Sequence, residues 1–204
     1  MALKVQIISY SDIGGGAARA AYRLHHLLPS YGIVSQMKVR CRKSDDTAVL
    51  GTSGWLGRAG NALRPHLGSL LCRLQRGANA SWHSGNWLPS AWAREINAMD
   101  AGVVNLHWVG DETLSIEDVG RIRKPLVWTL HDMWPFCGTE HYAPDDAAAR
   151  WRHGYDRDNR PAGASGLDLD RQVWWRKKRC WTRPMHVVVP SRWLADCARD
   201  SALL

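Results

Sequence analysis

Glycines, histidines, an aspartate and an arginine fall at the ends of the apolar runs in this sequence. Ser11-Asp12-Ile13-Gly14-Gly15-Gly16-Ala17 follows the first run, and Asn105-Leu106-His107-Trp108 closes another. Thr129-Leu130-His131-Asp132 and Pro190-Ser191-Arg192 close two more. The glycines of Gly14–Gly16 let the backbone approach a ligand, and a helix start behind them favours an anion such as a phosphate. A tight strand-to-helix turn with no ligand would use the same residues. His131 stands beside Asp132, a carboxylate that could fix its tautomer or raise its pKa. His107 is followed by Trp108, a pairing that also suits a packed core position. The glycine turn is not a dinucleotide fingerprint, because Arg19 replaces its third glycine. The next strand runs into Arg40-Cys41-Arg42-Lys43, not into an acidic residue that would grip a ribose, although Arg40 or Arg42 could face a 2′-phosphate. No Gly-Lys-Ser/Thr follows, so it is not a P-loop either. Cys137 and His141 have the spacing of ligands on a helix, but Pro135-Phe136 reads as a loop and no metal is expected.

The elements that would position these residues alternate. Strands are expected at 3–9, 35–39, 103–107, 126–130 and 186–189, and helices at 14–28, 56–76, 115–122, 168–181 and from Ser191, as N-cap, to about 199. Strands alternating with helices give an α/β fold with a doubly wound, mostly parallel, Rossmann-like sheet. In such a sheet ligands bind at the carboxyl ends of the strands, where the residues above gather. The stretch 143–166 is rich in Asp, Arg, Gly and Pro, and is expected to be a lid, a binding loop or disordered.

The 204 residues carry 27 Lys and Arg against 19 Asp and Glu, a net charge of +8. This length and an apolar share of 45% suit one globular domain and exclude bulk disorder. No apolar run approaches the ~20 residues of a membrane span, and the start turns polar too early for a signal peptide. Five cysteines without a C-x-x-C pair fit reduced thiols in the cytoplasm.

Two basic stretches stand out. Residues 47–94 hold no acidic side chain, while Leu63, Leu67, Leu70 and Leu74 form an apolar stripe. Such a helix could rest on an anionic membrane surface, with Arg64, Arg73 and Arg76 toward the lipid. The preferred reading packs the stripe against the sheet, and Pro65 and Gly68 weaken the helix. The second stretch, 171–183, interleaves tryptophan with charge; Trp174, Trp181 and, less well, Trp175 are expected to pack on the sheet, rather than stack bases or lie at a lipid interface.

Taken in order, Gly14-Gly15-Gly16-Ala-Ala-Arg-Ala-Ala-Tyr-Arg-Leu, Val104-Asn-Leu-His-Trp108, Val127-Trp-Thr-Leu-His-Asp-Met-Trp-Pro135, His141-Tyr142 and Val189-Pro-Ser-Arg-Trp-Leu194 resemble the family 4 glycosyltransferases of bacterial polysaccharide and lipopolysaccharide assembly. The resemblance runs the length of the chain, and Thr-Leu-His-Asp-Met-Trp-Pro is its most specific part. It implies the N-terminal, acceptor-side domain of a two-domain GT-B enzyme, spanning 1–204, with the C-terminal nucleotide-sugar domain absent from this chain. Such enzymes retain anomeric configuration and need no metal or cofactor. The resemblance further implies a nucleotide-sugar donor, a glycan or polyprenyl-linked acceptor, and peripheral attachment to the inner face of the membrane. It places Gly14, Gly15 and Gly16 near the donor phosphates or sugar and His131, steadied by Asp132, on the transferred sugar. His107 and Arg192 are expected in the acceptor region or cleft. Nucleic acid is not an expected partner; the competing reading is a non-catalytic Rossmann-like module for nucleotides or anionic polymers. Glu140 stands where many relatives carry a cysteine, and 143–166 lacks the further cysteines of those relatives.

Overall fold

The computed structural model describes residues 2–77 and 81–204. Its central sheet has six parallel strands: β1 (Lys4–Ser11), β2 (Val34–Cys41), β3 (Val49–Leu50), β5 (Val103–Leu106), β6 (Leu126–Thr129) and β8 (His186–Val188). Their order is β3-β2-β1-β5-β6-β8, so the winding reverses between β1 and β5. This is the doubly wound, Rossmann-like architecture expected from the alternating pattern. Strands β4 (Gln75–Arg76) and β7 (Ser165–Gly166) form a separate antiparallel pair.

Helix α1 (Gly16–Leu27) follows β1, and α2 (Trp55–Cys72) follows β3. The short helices are α3 (Trp92–Ala98), α4 (Ile116–Gly120) and α5 (Arg150–His153); α6 (Leu169–Cys180) and α7 (Arg192–Arg199) complete the set. Side chains set several boundaries. Ser115, Asp168 and Ser191 each accept a backbone N–H three residues on, capping α4, α6 and α7. Strand β3 and helix α3 have no counterpart in the sequence pattern. Two residues are too few to show a strand's period, and α3 buries only Trp92, Ala93 and Ile96.

Three expectations change. Helix α2 does form with Pro65 inside it, but it stops at Cys72 because the chain then turns into β4. Its leucine stripe does not pack on the sheet: Leu63, Leu67, Leu70 and Leu74 remain 58%, 48%, 59% and 52% exposed. The buried face of α2 is instead the one bearing Gly68, where a Cβ would come 2.8 Å from Glu112. Arg64 turns inward as well; its Nε donates to the Glu112 carbonyl at 2.8 Å and its guanidinium also reaches the Leu88 and Pro89 carbonyls.

Segment 143–166 is anchored at its centre, while 144–148, 156–158 and 161–163 are exposed. Trp151 and Tyr155 are fully buried, and Arg150 ties the segment to Asp168, Asn159 and the Asp156 carbonyl. In 171–183 the packing expectation holds for Trp174, which is buried, and for Trp181, which meets Trp128 edge-on at 5.0 Å. Arg176 and Lys177 are buried with them.

Candidate functional site at the sheet's switch point

The reversal between β1 and β5 opens a crevice beyond their carboxyl ends. Gly15 takes φ +92°, a value that L side chains rarely adopt, so glycine is required there. Helix α1 then starts at Gly16 with no side-chain cap, which leaves N–H groups of its first turn without a side-chain partner. A Cβ on Gly15 or Gly16 would meet nothing within 4 Å, so the space over the helix start is open. Asp12 staples the turn to the chain after β2. Its carboxylate accepts the N–H groups of Ile13, Lys43 and Ser44, bonds that hold its pKa low despite burial. Lys43 Nζ lies 3.3 Å from the Cβ position of Gly14, which adds a cation to the helix start.

Over this turn lies a cavity of about 380 Å³ lined by Ser9–Ser11, the glycines, Trp82, Trp108 and Asp111. Tyr10, Trp82 and Asp111 also line a second cavity of about 770 Å³ beneath α2. The backbone at their junction is strained. Asp111 and Glu112 take φ +51° and +58°, and Asn86, which meets them, takes +47°. Such conformations cost about 1 kcal/mol or more each and need surrounding structure to persist. Here Ser84 Oγ accepts the Asp111 N–H at 3.1 Å and Asn86 Oδ1 the Glu112 N–H at 3.3 Å. Burial raises the Asp111 carboxyl above its ordinary value, against the opposing hydrogen bond from Trp82 Nε1 at 2.9 Å.

The two histidines meet each other. His107 Nδ1 lies 2.9 Å from His131 Nε2, and His107 Nε2 lies 2.9 Å from Asn105 Oδ1. Burial pushes His107 down to about 3 and lowers His131 too, although Asp132 opposes the second shift. Neither ring lines the glycine-turn cavity; His107 directly follows β5 and His131 lies two residues beyond β6.

Asp132 does not hold His131. Its Oδ2 accepts Trp108 Nε1–H at 2.8 Å and faces His141 Nδ1 at 2.6 Å, while His141 Nε2 meets Ser84 Oγ at 2.9 Å. The aspartate therefore locks Trp108, and through His141 and Ser84 the strained Asp111 backbone. Cys137 is buried in the core and both nitrogens of His141 are engaged, so this pair does not converge on a metal. Arg40 is equally unavailable to a 2′-phosphate. It donates to the Thr113 carbonyl, lies 4.0 Å over the Trp92 ring, and burial brings its pKa to about 9. Arg192 is exposed at the start of α7 and, among the described residues, its side chain makes no hydrogen bond or ion pair.

Sequence reasoning missed Asp12, Asn105, Trp82 and Asp111. Asn105 carried a signal, since it lies two residues before His107 and so on the same strand face. The others are fixed by contacts between distant segments. No protein-family model and no curated protein matches the chain.

Proposed function

We propose that this chain is the acceptor-side domain of a retaining glycosyltransferase that moves a sugar from a nucleotide sugar to a glycan or polyprenyl-linked acceptor. The observation that carries this reading is the open glycine turn at the switch point, capped by aromatic rings and continuous with a larger cavity. The first-turn N–H groups of α1 and Lys43 suit the donor phosphates, whose charge grows as the sugar leaves. Tyr10, Trp82 and Trp108 offer flat apolar faces to sugar rings. His131 orients the sugar, and Asp111 supplies a carboxyl on the acceptor side. Asp132 acts by fixing Trp108.

The leucine face of α2 supports a further part of this reading, peripheral attachment to an anionic bilayer at the cytoplasmic side. It is exposed to solvent, and no acidic residue lies between 47 and 94.

In a transfer assay supplied with the donor domain, His131→Ala lowers turnover by at least about 10²-fold. Near-wild-type transfer would remove His131 from the mechanism. The competing module for anionic polymers predicts tight single-stranded nucleic acid binding that collapses with salt. Of the 171–183 stretch, Arg176, Lys177 and Trp174 are buried, which leaves Trp175, Lys178, Arg179 and Arg183 exposed to supply it.

A further inference from the structure

An imidazole serves a ligand differently according to which nitrogen holds its proton, and here the neighbouring side chains decide that. The Asn105 amide Nδ2 donates to the Val127 carbonyl and to Thr129 Oγ1, both at 3.1 Å. A carbonyl oxygen only accepts, so this contact fixes the amide orientation and turns Oδ1 toward His107. His107 Nε2, 2.9 Å from that oxygen, must therefore carry a proton. Burial keeps His107 neutral, with its pKa at about 3, so its Nδ1 is bare. Across the 2.9 Å contact the donor is then His131 Nε2–H. The ring centroids lie 5.1 Å apart, a separation that suits an edge-to-edge bond between the two nitrogens.

We propose that Asn105 and His107 are positioning residues that hold His131 as its Nε2–H tautomer and present its Nδ1 as an acceptor for a sugar hydroxyl. Among the described residues Nδ1 of His131 meets no hydrogen-bond partner. A hydroxyl can donate to it, whereas an ionised phosphate oxygen or a carbonyl cannot. The site is thereby polar in the literal sense: anions belong at the glycine turn and neutral hydroxyls at His131. The ligand named here rests on the transferase reading; the proton's position does not.

The test is a long-range proton–nitrogen correlation spectrum of the full chain labelled with ¹⁵N-histidine, at neutral pH. His131 should show a protonated Nε2 and a bare Nδ1, with scalar coupling from Nε2–H across the hydrogen bond to His107 Nδ1. A proton on His107 Nδ1, or on His131 Nδ1, overturns the proposal. Asn105→Leu removes the acceptor that anchors the chain of protons, and should let the His107–His131 bond reverse or mix. Asn105→Asp keeps an acceptor and should preserve the wild-type pattern. Unchanged tautomers in a folded Asn105→Leu chain remove Asn105 from the device. Should that variant lose its dispersed spectrum, the wild-type and Asn105→Asp spectra still decide. A correct tautomer in a chain that transfers no sugar when supplied with the donor domain would sink the transferase reading alone.

Discussion

On the β2–β3 side of β1 the buried cluster consists of Ile7, Ala21, Met37, Val39 and Val49, all aliphatic or small. On the β5–β8 side a far larger cluster takes in Trp92, Trp128, Trp134, Trp151 and Trp174 together with Phe136 and Tyr155. The candidate site lies on the border. The thinly packed side supplies what a ligand approaches, namely the glycine turn and the exposed face of α2. The aromatic side supplies what must not move, the histidine pair and the Asp132–His141–Trp108 network. Rigid rings thus hold the site from one flank, and the buried carboxylate of Asp12 holds the glycine turn from the other.

Breaking the thick flank should cost most. Trp151 is fully buried, faces Phe136 at 5.7 Å and donates its indole N–H to the Pro144 carbonyl at 3.0 Å. Trp151→Ala should remove about 3–5 kcal/mol of stability in chemical denaturation. A loss under 1 kcal/mol would mean that 143–166 is not part of the core.

A pH series sharpens the comparison, because both perturbed groups sit on the thick flank. Burial and the adjacent Asp170 raise the Glu140 carboxyl well above its ordinary 4.5, and Tyr155 donates to Oε1. The unfolded chain gives up that proton first, so the stability linked to neutral Glu140 falls as pH rises above about 4.5. His107 works in the opposite sense. Its folded value near 3 lies below the ordinary 6.5, so stability is lost as pH falls from about 6.5 toward 3. Glu140→Gln keeps an acceptor for Tyr155 and a donor for Asp170, and should flatten the alkaline decline while leaving the acid limb in place. An unchanged alkaline limb would place the cause elsewhere.

The thin flank should give the smallest change in stability. Replacing Leu63, Leu67 and Leu70 by serine should each shift stability by no more than about 0.5 kcal/mol, since these side chains face water. The same triple variant should no longer float with anionic liposomes, and Arg58→Glu with Arg73→Glu should weaken flotation in a salt-dependent way. Equal flotation of all forms would end the membrane reading.

Much of this fold is legible in the residues. Val5, Ile7, Val104 and Val187 mark strands because a parallel sheet buries both faces, and Ser115, Asp168 and Ser191 mark helix starts because they cap them. The glycines and histidines of the site are legible because they follow strand ends. Their partners are not. Asp132 adjoins His131 in sequence yet bonds His141, because successive side chains diverge at the end of β6. The leucines of α2 have core spacing, and periodicity alone cannot say whether a striped face meets protein or solvent. Lys177 reads as a surface charge, and only the tertiary structure shows it enclosed.

That lysine has a consequence for chemical reactivity. Its Nζ donates to the carbonyls of Trp134, Cys137 and Gly138, and it lies 3.9 Å over the Trp134 ring. Lys4, Lys43 and Lys178 are open to water. An amine-reactive reagent applied to the native chain should therefore mark these three and spare Lys177. Acylation at Lys177 would be a clock for opening of the aromatic half, and its rate could be read peptide by peptide without an added probe.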